Sequence, residues 1–423
     1  MKSNRRNFLR LSGLAGIGLA SAYSIKSNAA LLDSEEITPK RVNGKDGQHF
    51  NMCGYAAPKL DTVRIGFIGL GNRGPEAVER MNKIEGVEIK ALCDVRPEKA
   101  YQAKKLIEGT THRPDIYTGG EKEWKKACDR SDIDLIYVAT PWSLHTTMAL
   151  YAMEQGKHVA VEVPAAVTVE ECWQLVETSE KTRRHCMILE NCCYDFFELL
   201  TLNMARQGFF GEIIHAEGAY IHDLLTKNFD KEMYYDMWRL KENTRKGCLY
   251  PTHGLGPVAQ LLNINRGDSM DYLVSVSGND FMMSALAKGL AASDEFYKPY
   301  ASKSFRGNMN TTTIRTRKGK TIMIQHDVTS PRPYSRIHQL SGTKGSALKY
   351  PQPGRISNSH EGWLSEAELK SLEEEYTPPI VKKLGEMAKQ IGGHGGMDFL
   401  MDWRLIDCLR NGLPLDMDVY DAA

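Results

Sequence analysis

Length, composition and charge place the chain among ordinary globular proteins. It has 423 residues, of which 42% are hydrophobic and 25% charged, and its formal net charge at pH 7 is +1. This length is enough for two domains, each with its own core. The near-neutral charge provides no basic field for nucleic acid or an anionic membrane surface, so we expect neither partner. After the N-terminus no apolar run is long enough to cross a bilayer, so we expect no membrane span.

The first 30 residues have the features of an export signal. Arg5 and Arg6 precede an apolar, glycine-rich stretch at residues 11–22, and Ser27-Asn28-Ala29 offers a cleavage site of small residues. Export signals place basic, apolar and small residues in this order. Paired arginines shortly before Phe-Leu are typical of the twin-arginine route, which carries folded proteins. We predict a twin-arginine-type signal at residues 1–30 and a periplasmic protein. The alternative is a basic amphipathic terminus.

The nine cysteines show no spacing that indicates a metal site. Cys192 and Cys193 are adjacent, and no cluster of Cys and His has zinc-finger spacing. Unpaired cysteine packs like a small hydrophobic residue. We therefore predict buried free thiols and no metal, although export to the periplasm would permit disulfides.

Strands and helices alternate over residues 61–191, after a polar segment at 31–60 that we interpret as a linker or strap. The predicted strands span 63–68, 87–94, 134–140, 159–162 and 187–189. One predicted helix begins at Pro75, and three others span residues 97–107, 144–155 and 169–182. Regular alternation of this kind indicates right-handed βαβ units. We predict an α/β fold whose N-terminal Rossmann domain, residues 61–191, contains a parallel sheet.

The pattern changes from Gly211 onward. Strand-like runs follow one another without regular helices between them, at residues 212–220, 273–276, 311–316 and 320–325. Residues 364–376 are rich in glutamate and predict a helix with a solvated face. We therefore predict that residues 192–423 form a substrate-binding α+β domain built on an open, mostly antiparallel sheet.

A glycine-rich turn lies between the first strand and the first helix. Its glycines are Gly69, Gly71 and Gly74, and Asp94 ends the next strand at the expected distance. Glycines let the backbone approach a pyrophosphate, and the helix N-terminus supplies free N–H groups. Asp94 should accept from the adenosine ribose, which favours NAD over NADP. Arg96 leaves NADP open, because an arginine here can hold the 2′-phosphate, and a glycine turn without ligand is the remaining alternative.

Polar residues also follow the later strands, in the motifs Thr140-Pro141-Trp142-Ser143-Leu144-His145, Glu162-Val163-Pro164 and Glu190-Asn191. A Rossmann domain with these motifs resembles the Gfo/Idh/MocA oxidoreductase superfamily. That superfamily joins such a domain to a C-terminal open-faced antiparallel sheet. Its third motif is typically Glu-Lys-Pro, whose lysine assists hydride transfer at a secondary alcohol. This chain has Val163 at the position of the lysine, which puts an ordinary sugar dehydrogenase in doubt.

The motifs of this chain that depart from the superfamily pattern resemble those of a narrower group. The motifs that carry the likeness are Gly69-Leu70-Gly71-Asn72-Arg73-Gly74, Trp142-x-x-His145, Glu162-Val163-Pro164, Glu190-Asn191-Cys192-Cys193-Tyr194, residues 250–257 (YPTHGLGP) and residues 392–396 (GGHGG). Together they resemble glycoside hydrolase family 109 over essentially the whole chain. The characterised activity of that family is NAD-dependent α-N-acetylgalactosaminidase.

The resemblance implies a set of contact residues. Together with the glycines of the turn, the implied NAD contacts are Asn72, Arg73, Asp94, the stretch from Trp142 to His145, Glu162, Val163 and Asn191. The implied sugar contacts are Tyr220, Arg239, Tyr250, Pro251, Thr252, His253 and Tyr334. Simple alternatives stay open, because Trp142 could be core, Arg239 a surface ion pair and Tyr220 an inward strand residue. His394, flanked by four glycines, receives no assigned role.

The predicted chemistry differs from that of ordinary glycosidases, which use two carboxylates across the bond. We hypothesise that a tightly bound NAD oxidises the sugar at C3, which acidifies the hydrogen on C2. The C1 substituent then leaves by elimination, water adds, and the hydride returns to C3, so that NAD is not consumed. His253 is the candidate base, with Tyr194 or Tyr220 assisting, because histidine and tyrosine suit such proton transfers.

Two other functions remain open at the level of sequence. The first is a net NAD-dependent sugar or polyol dehydrogenase, and the second is a non-catalytic protein that binds NAD or sugar. In the favoured interpretation the substrate is a glycan or glycoconjugate. An open sheet face also invites association with a second copy, so a homodimer is possible.

Overall fold

The computed structural model describes Gln48 and residues 50–423, which belong to one compact unit. The predicted export signal at residues 1–30 and most of the predicted linker at 31–60 lie outside the described residues. The described start of the chain lies against its end, since the Met52 N–H donates to the Tyr420 hydroxyl at 3.1 Å. Within the part of the chain that is described, no helix is long and apolar enough to span a membrane.

The first sheet has six parallel strands in the order β3-β2-β1-β4-β5-β6. They are β1 (Val63–Ile68), β2 (Val87–Cys93), β3 (Asp115–Tyr117), β4 (Leu135–Val138), β5 (His158–Val161) and β6 (Cys186–Ile188). The central strands are apolar on both faces, and every residue of β4 and β5 is buried. Helices on both faces of a parallel sheet account for this composition. The predicted Rossmann sheet is confirmed.

Five helices accompany this sheet. They are α1 (Arg73–Met81), α2 (Pro97–Lys105), α3 (Glu123–Cys128), α4 (Trp142–Glu154) and α5 (Val169–Thr182). The sequence did not predict β3 or α3, because β3 has only three residues and is partly exposed at the sheet edge. The first helix begins at Arg73, two residues before the predicted start at Pro75, so the last glycine of the turn already belongs to the helix.

The second sheet has seven strands in the order β13-β12-β11-β7-β10-β9-β8. They are β7 (Ile213–Ile221), β8 (Met270–Ser277), β9 (Asn310–Thr316), β10 (Thr321–Asp327), β11 (Gln339–Gly342), β12 (Ser346–Leu348) and β13 (Arg355–Ser357). Only β7 and β10 pair in parallel, and the other five pairs are antiparallel. The predicted open, mostly antiparallel sheet is therefore confirmed.

Regular helices do interrupt the strands of the second half, which corrects the expectation of none. They are α6 (Phe196–Arg206), α7 (Leu225–Asn228), α8 (Trp238–Glu242), α9 (Thr252–Leu261), α10 (Met283–Ser293), α11 (Lys298–Ala301), α12 (Glu366–Tyr376), α13 (Pro379–Ile391), α14 (Met397–Asn411) and α15 (Val419–Ala422). The sequence pattern does not predict helix α9, because Gly254, Gly256 and Pro257 are typical of a loop. Gly254 instead permits close packing on β7, since a Cβ at Gly218 would lie 2.3 Å from the Gly254 oxygen.

The end of the chain returns to the first sheet. Phe399 and Leu400 of α14 belong to the same buried apolar cluster as Phe67 of β1. A second cluster lies between the second sheet and helices α6 and α9. The core of the first sheet is thus completed by residues more than 300 positions later in the sequence.

The cysteines follow the predicted pattern in part. All nine are free, and six of them are buried. Cys53, Cys172 and Cys248 are partly exposed. Most of the thiols therefore act as small apolar core groups.

Candidate active site

A cavity of about 710 Å³ opens at the carboxyl ends of the parallel strands, which is where ligands bind in open α/β sheets. Ten of the eleven residues predicted to contact NAD line it, namely Gly69, Gly71, Asn72, Arg73, Asp94, Trp142, His145, Glu162, Val163 and Asn191. Four predicted sugar contacts line the same space, namely Tyr220, Arg239, Tyr250 and His253. The fold therefore brings both predicted sets to one cavity.

The glycine turn is shaped by backbone packing. Gly69 has φ of +92°, and a Cβ there would lie 2.5 Å from the Ala139 carbonyl oxygen. A Cβ at Gly74 would lie 2.0 Å from the Gly69 oxygen, so Gly74 packs the helix against the turn and does not line the cavity. Gly71 faces the cavity beside Arg73, the first residue of α1. A bare backbone next to a helix N-terminus fits a pyrophosphate.

Asp94 fixes the turn as well as facing the cavity. Its Oδ2 accepts from the Leu70 N–H at 2.7 Å, and its Oδ1 accepts from the Arg96 N–H at 2.9 Å. The Arg96 guanidinium lies 3.3 Å from Asp94 Oδ1 and 4.9 Å from the centre of the Tyr235 ring. Because these partners already hold Arg96, the geometry favours a free ribose hydroxyl over a 2′-phosphate.

A network of charges joins the turn to the end of the chain. Arg73 contacts Glu162 at 3.2 Å and Asp398 of α14 at 3.1 Å. Asp398 is fully buried and also accepts from Asn191 Nδ2 at 2.5 Å. Burial opposes the charge on Arg73, but Glu162 and Asp398 raise the pKa of its guanidinium well above the ordinary value. Asp398 therefore positions two residues that were predicted to contact NAD.

The same carboxylate contacts His394. Asp398 Oδ2 lies 2.9 Å from His394 Nδ1, and the His394 side chain is 54% exposed. His394 lines the cavity, and its neighbours Gly393 and Gly395 have φ of +80° and +74°. The glycines allow a sharp turn that brings this imidazole to the cavity. The structure thus brings to the cavity a histidine that no sequence motif had linked to a role.

His145 holds two strand ends together. It is 1% exposed, and its Nδ1 and Nε2 lie 2.8 Å and 2.7 Å from the carbonyl oxygens of Pro164 and Thr140. Burial lowers the pKa of His145, although both carbonyls oppose this effect. Since both ring nitrogens are engaged by the backbone, His145 shapes the wall that bears Val163.

Aromatic rings surround Arg239 on the opposite wall. Its guanidinium carbon lies 5.3 Å from the Trp142 ring centre, 5.4 Å from that of Tyr234 and 5.8 Å from that of Tyr250. The Trp142 and Tyr250 rings stack with their centres 5.4 Å apart. Among the described residues no carboxylate forms an ion pair with Arg239, so its interpretation as a surface ion pair is wrong. A cation in an aromatic cage is available to hydroxyl and carbonyl groups of a sugar.

His253 lies in the first turn of α9 and faces a buried carboxylate. Its Nδ1 lies 2.8 Å and 3.0 Å from the two carboxylate oxygens of Glu190, which is 1% exposed. Its Nε2 lies 3.5 Å from the Tyr250 hydroxyl. Burial opposes ionisation of Glu190, but the facing imidazole and hydrogen bonds lower the pKa of the carboxyl below its ordinary value. The pair has the form of a base with a carboxylate behind it.

Cys192 lies beside this pair. Ligand-type atoms of Glu190, Cys192 and His253 lie within 4.8 Å of one another. Burial raises the pKa of the Cys192 thiol well above its ordinary range, and metals bind the thiolate. We interpret the trio as a carboxylate–imidazole pair packed against a buried thiol, because both Glu190 oxygens already face His253 Nδ1.

Comparison with known proteins identifies the family. Residues 194–423 match the profile described as "Glycosyl hydrolase 109, C-terminal domain", and residues 63–189 match that of the oxidoreductase family with an NAD-binding Rossmann fold. Glycosyl hydrolase family 109 protein 1 of Phocaeicola vulgatus is 53% identical over 91% of this chain and 83% of its own length. The chain belongs to glycosyl hydrolase family 109.

Other relatives agree with this membership of family 109. A Bacteroides fragilis protein named alpha-N-acetylgalactosaminidase is 53% identical over 88% of both chains. The solved structure of an oxidoreductase domain protein from Kribbella flavida superposes with a TM-score of 0.63, covering 86% of this chain and 94% of that one. At 18% identity this second likeness shows a shared fold alone. The resemblance inferred from the motifs is confirmed.

Besides Gly74, four predicted site residues of this family 109 protein do not line the cavity. Tyr194 is 2% exposed, and its hydroxyl donates to Asp416 at 3.2 Å outside the cavity, so its position does not support the expected role as an assisting acid. Pro251 and Thr252 form the start of α9. Tyr334 is 40% exposed, and its ring centre lies 6.4 Å from that of Tyr220. These three predicted sugar contacts sit next to lining residues without lining the cavity themselves.

Sequence reasoning also missed residues that support the site. Glu190 belongs to two of the sequence motifs but had no predicted role, and no motif contains Asp398. His222 lines the cavity, and its Nδ1 lies 3.0 Å from the Tyr220 hydroxyl. Burial lowers the pKa of His222 to about 4, so this imidazole is a neutral acceptor at neutral pH. No spacing rule links Glu190 to His253 or Asp398 to Arg73, because these partners are distant in sequence.

Proposed function

We propose that the protein hydrolyses terminal α-linked N-acetylgalactosamine with the help of a resident NAD that is regenerated in each turnover. The observation that carries this proposal is that His253, backed by buried Glu190, lines the same cavity as the glycine turn. The name of the B. fragilis relative supports the choice of sugar. A glycan or glycoconjugate is then the natural substrate.

The residues around the turn fit NAD. Gly71 leaves the backbone bare, while Asn72, Arg73 and Asp94 line the space beside it. Asn191, held by Asp398, lines the same cavity as the turn and His253. When bound, NAD would supply a reversible hydride acceptor for the sugar C3. We propose that it is bound tightly, because the 710 Å³ space lies between both halves of the chain.

The side chains divide the proton transfers between two pairs. His253 Nε2 is the ring nitrogen not taken by Glu190, so it accepts the proton from C2 of the sugar. Tyr220 accepts the proton of the C3 hydroxyl while passing its own to His222 Nδ1, 3.0 Å away. This pair replaces the lysine that Val163 does not provide. We assign protonation of the departing C1 oxygen to His394, which lines the cavity and whose side chain is 54% exposed.

Turnover of nitrophenyl N-acetyl-α-galactosaminide in D₂O tests this function. The released N-acetylgalactosamine should carry deuterium at C2, and the protein should contain bound NAD without net formation of NADH. Replacement of His253 by Gln should lower the rate about 10²- to 10⁴-fold. Turnover that leaves C2 unlabelled and continues after removal of NAD would exclude the mechanism. Stoichiometric NADH from free sugar would instead identify a dehydrogenase.

We further propose that the protein is exported in folded form to the periplasm. The basis is the arginine pair and apolar stretch in the first 30 residues. Fractionation of cells that express the full chain tests this proposal, with Arg5→Lys and Arg6→Lys together as the matched control. Export of that variant at the level of the unmodified chain would contradict a twin-arginine route.

A homodimer through strand β8 is our third proposal. All eight residues of β8 are exposed, among them Tyr272, Leu273, Val274 and Val276 at 57–67%. An apolar edge strand pairs readily with another copy. Light scattering after gel filtration should give twice the chain mass, and Val274→Lys should give the monomer mass. A monomer at micromolar concentration in the unmodified protein would contradict the proposal.

A further inference from the structure

We propose that Glu190 is the positioning residue of the His253 base: it fixes the proton on Nδ1 and leaves Nε2 free toward the cavity. Glu190 does not line the cavity, so it acts through the imidazole and not on the sugar. The kinetic part of this inference rests on the proposed function, whereas the tautomer part stands on the geometry of the pair.

The contacts of the imidazole determine which nitrogen carries the proton. Both oxygens of Glu190 face Nδ1, at 2.8 Å and 3.0 Å. An ionised carboxylate can only accept, so Nδ1 must donate. In the neutral ring Nε2 then carries the lone pair, and the Tyr250 hydroxyl lies 3.5 Å from it. The same hydrogen-bond logic sets the tautomer of histidine elsewhere in proteins.

The surroundings keep the carboxylate in place. Glu190 Oε1 also accepts from the Cys192 N–H at 3.0 Å, which anchors it at the start of the 3₁₀ helix Asn191–Tyr194. Burial excludes water that would otherwise compete for its oxygens. Its charge remains because the imidazole and the backbone donor offset the penalty of burial. An ionised acceptor of this kind binds an N–H more strongly than a neutral one.

A glycine in α9 permits the close contact between this helix and Glu190. A Cβ at Gly256, one turn after His253, would lie 2.8 Å from Glu190 Cγ and 3.1 Å from Cys193 Sγ. Residues three apart share one face of a helix. Glycine at this position therefore lets the helix bring His253 within hydrogen-bond distance of Glu190.

A bond between Glu190 and His253 that only stabilises the fold would have the same geometry. The test must therefore separate a structural role of Glu190 from a positioning role. Selective ¹⁵N labelling of histidine in the NAD-loaded full-length protein distinguishes protonated from unprotonated ring nitrogens, with His253→Gln assigning the signals. The unmodified protein should show a neutral His253 protonated at Nδ1. Protonation at Nε2 in the unmodified protein would overturn the proposal without any variant of Glu190.

Variants then test the consequence. Glu190→Gln should lose the single Nδ1–H tautomer and lower kcat on the order of 10²- to 10⁴-fold, with KM and bound NAD little changed. Glu190→Asp retains the charge and should recover part of the rate. Asp416→Asn serves as the control, because it loosens Tyr194 of the same 3₁₀ helix without contacting His253, and it should keep both tautomer and rate.

The outcomes separate this inference from the proposed function. Wild-type tautomer and rate in Glu190→Gln would refute the positioning role, as would equal losses in Asp416→Asn. If Glu190→Gln does not fold, the tautomer in the unmodified protein and the rate of Glu190→Asp decide the question. A correct tautomer in a protein that cleaves no N-acetylhexosaminide would refute the proposed function and leave the role of Glu190 intact.

Discussion

Tyr220 and Tyr194 carry the same hydroxyl group in different surroundings. The Tyr220 hydroxyl lies 3.0 Å from the imidazole of His222 within the cavity lining. Burial raises the pKa of Tyr220, and the nearby Arg239 cation opposes part of this rise. The Tyr194 hydroxyl donates to Asp416 outside the cavity. The Tyr220 phenol lies beside a neutral imidazole and can transfer a proton to it. The Tyr194 phenol is bound to a carboxylate far away in the sequence, so it supports the fold.

Two phenylalanine variants therefore have opposite expected effects. Tyr220→Phe should lower kcat about 10²-fold or more, because the proton path to His222 is lost. Tyr194→Phe should keep kcat and KM within about twofold, and lose about 1 kcal/mol of unfolding free energy with its hydrogen bond. Steady-state kinetics and urea unfolding measure both effects. A large loss of kcat in Tyr194→Phe at normal stability would return that residue to the catalytic set.

Asp402 makes the stability of the protein depend on pH. It accepts from Arg80 Nε at 2.7 Å and is fully buried. Burial raises the pKa of the Asp402 carboxyl to about 6, although Arg80 opposes the rise. The folded state thus holds this proton more tightly than the unfolded chain does. The stabilising contribution is complete below about pH 4 and is lost as the pH rises through 6.

Asp402→Asn should remove this contribution. The unfolding free energy of the variant relative to the unmodified protein should rise on the order of 3 kcal/mol between pH 4 and pH 7. Urea unfolding at half-unit pH steps measures the difference. A difference that stays flat, or falls, over this range would show that Asp402 titrates as an ordinary carboxyl.

Helix α9 depends on glycine where most helices do not. Gly254 approaches β7, and Gly256 approaches Glu190 and Cys193. Gly289 of α10 is different, since a Cβ there would meet nothing within 4 Å. The cost of replacing a helical glycine is therefore set by its neighbours and not by helix propensity alone.

Alanine at the two positions should act in opposite directions. Gly256→Ala forces α9 away from Glu190, so it should destabilise the fold by about 1–3 kcal/mol and lower kcat by separating His253 from its carboxylate. Gly289→Ala should stabilise the fold by about 0.5–1 kcal/mol without a change in kcat. Thermal unfolding and kinetics of the two variants provide the comparison. Unchanged kcat in a folded Gly256→Ala variant would contradict the packing argument.

The pattern of apolar residues predicted those elements whose buried residues follow one another in the sequence. The buried runs of β1, β4 and β5 are long apolar stretches, so their positions followed from composition. The edge strand β3 has too few apolar residues to stand out, and α9 is masked by its glycines and proline. Close approach of backbones is a property of two elements together. One segment of sequence does not reveal it.

One apolar core links both halves of the molecule. The cluster that contains Phe67 of β1 continues to Tyr250 and to Phe399 of α14. Buried charges follow the same route, since Arg80 of α1 pairs with Asp402. Elements that share a core unfold together in a cooperative transition.

Calorimetry of the whole protein should therefore show one unfolding transition. Added NAD should raise its midpoint, because a ligand that binds the folded state stabilises it by mass action. Truncation before Met397 should abolish the transition, since it removes the part of α14 that completes the core. Two separate transitions, of which only one responds to NAD, would indicate halves that fold independently.

Contacts between distant residues limited what the sequence could show about the site. The resemblance located the lining residues because its motifs are local. Glu190 and His253 are 63 positions apart, and Arg73 and Asp398 are 325 positions apart. Nothing in the spacing of either pair indicates contact, and only the packing of α9 on β7 and of α14 on the first sheet brings them together.

The buried Asp398 also sets an order of assembly. It is synthesised 325 residues after Arg73 of the phosphate turn and 207 residues after Asn191, yet it holds both. A nascent chain halted on the ribosome before α14 has a complete glycine turn whose arginine lacks this partner. Stable capture of a dinucleotide by the turn should consequently wait until α14 has been synthesised and packed, however early the glycine turn itself leaves the ribosome.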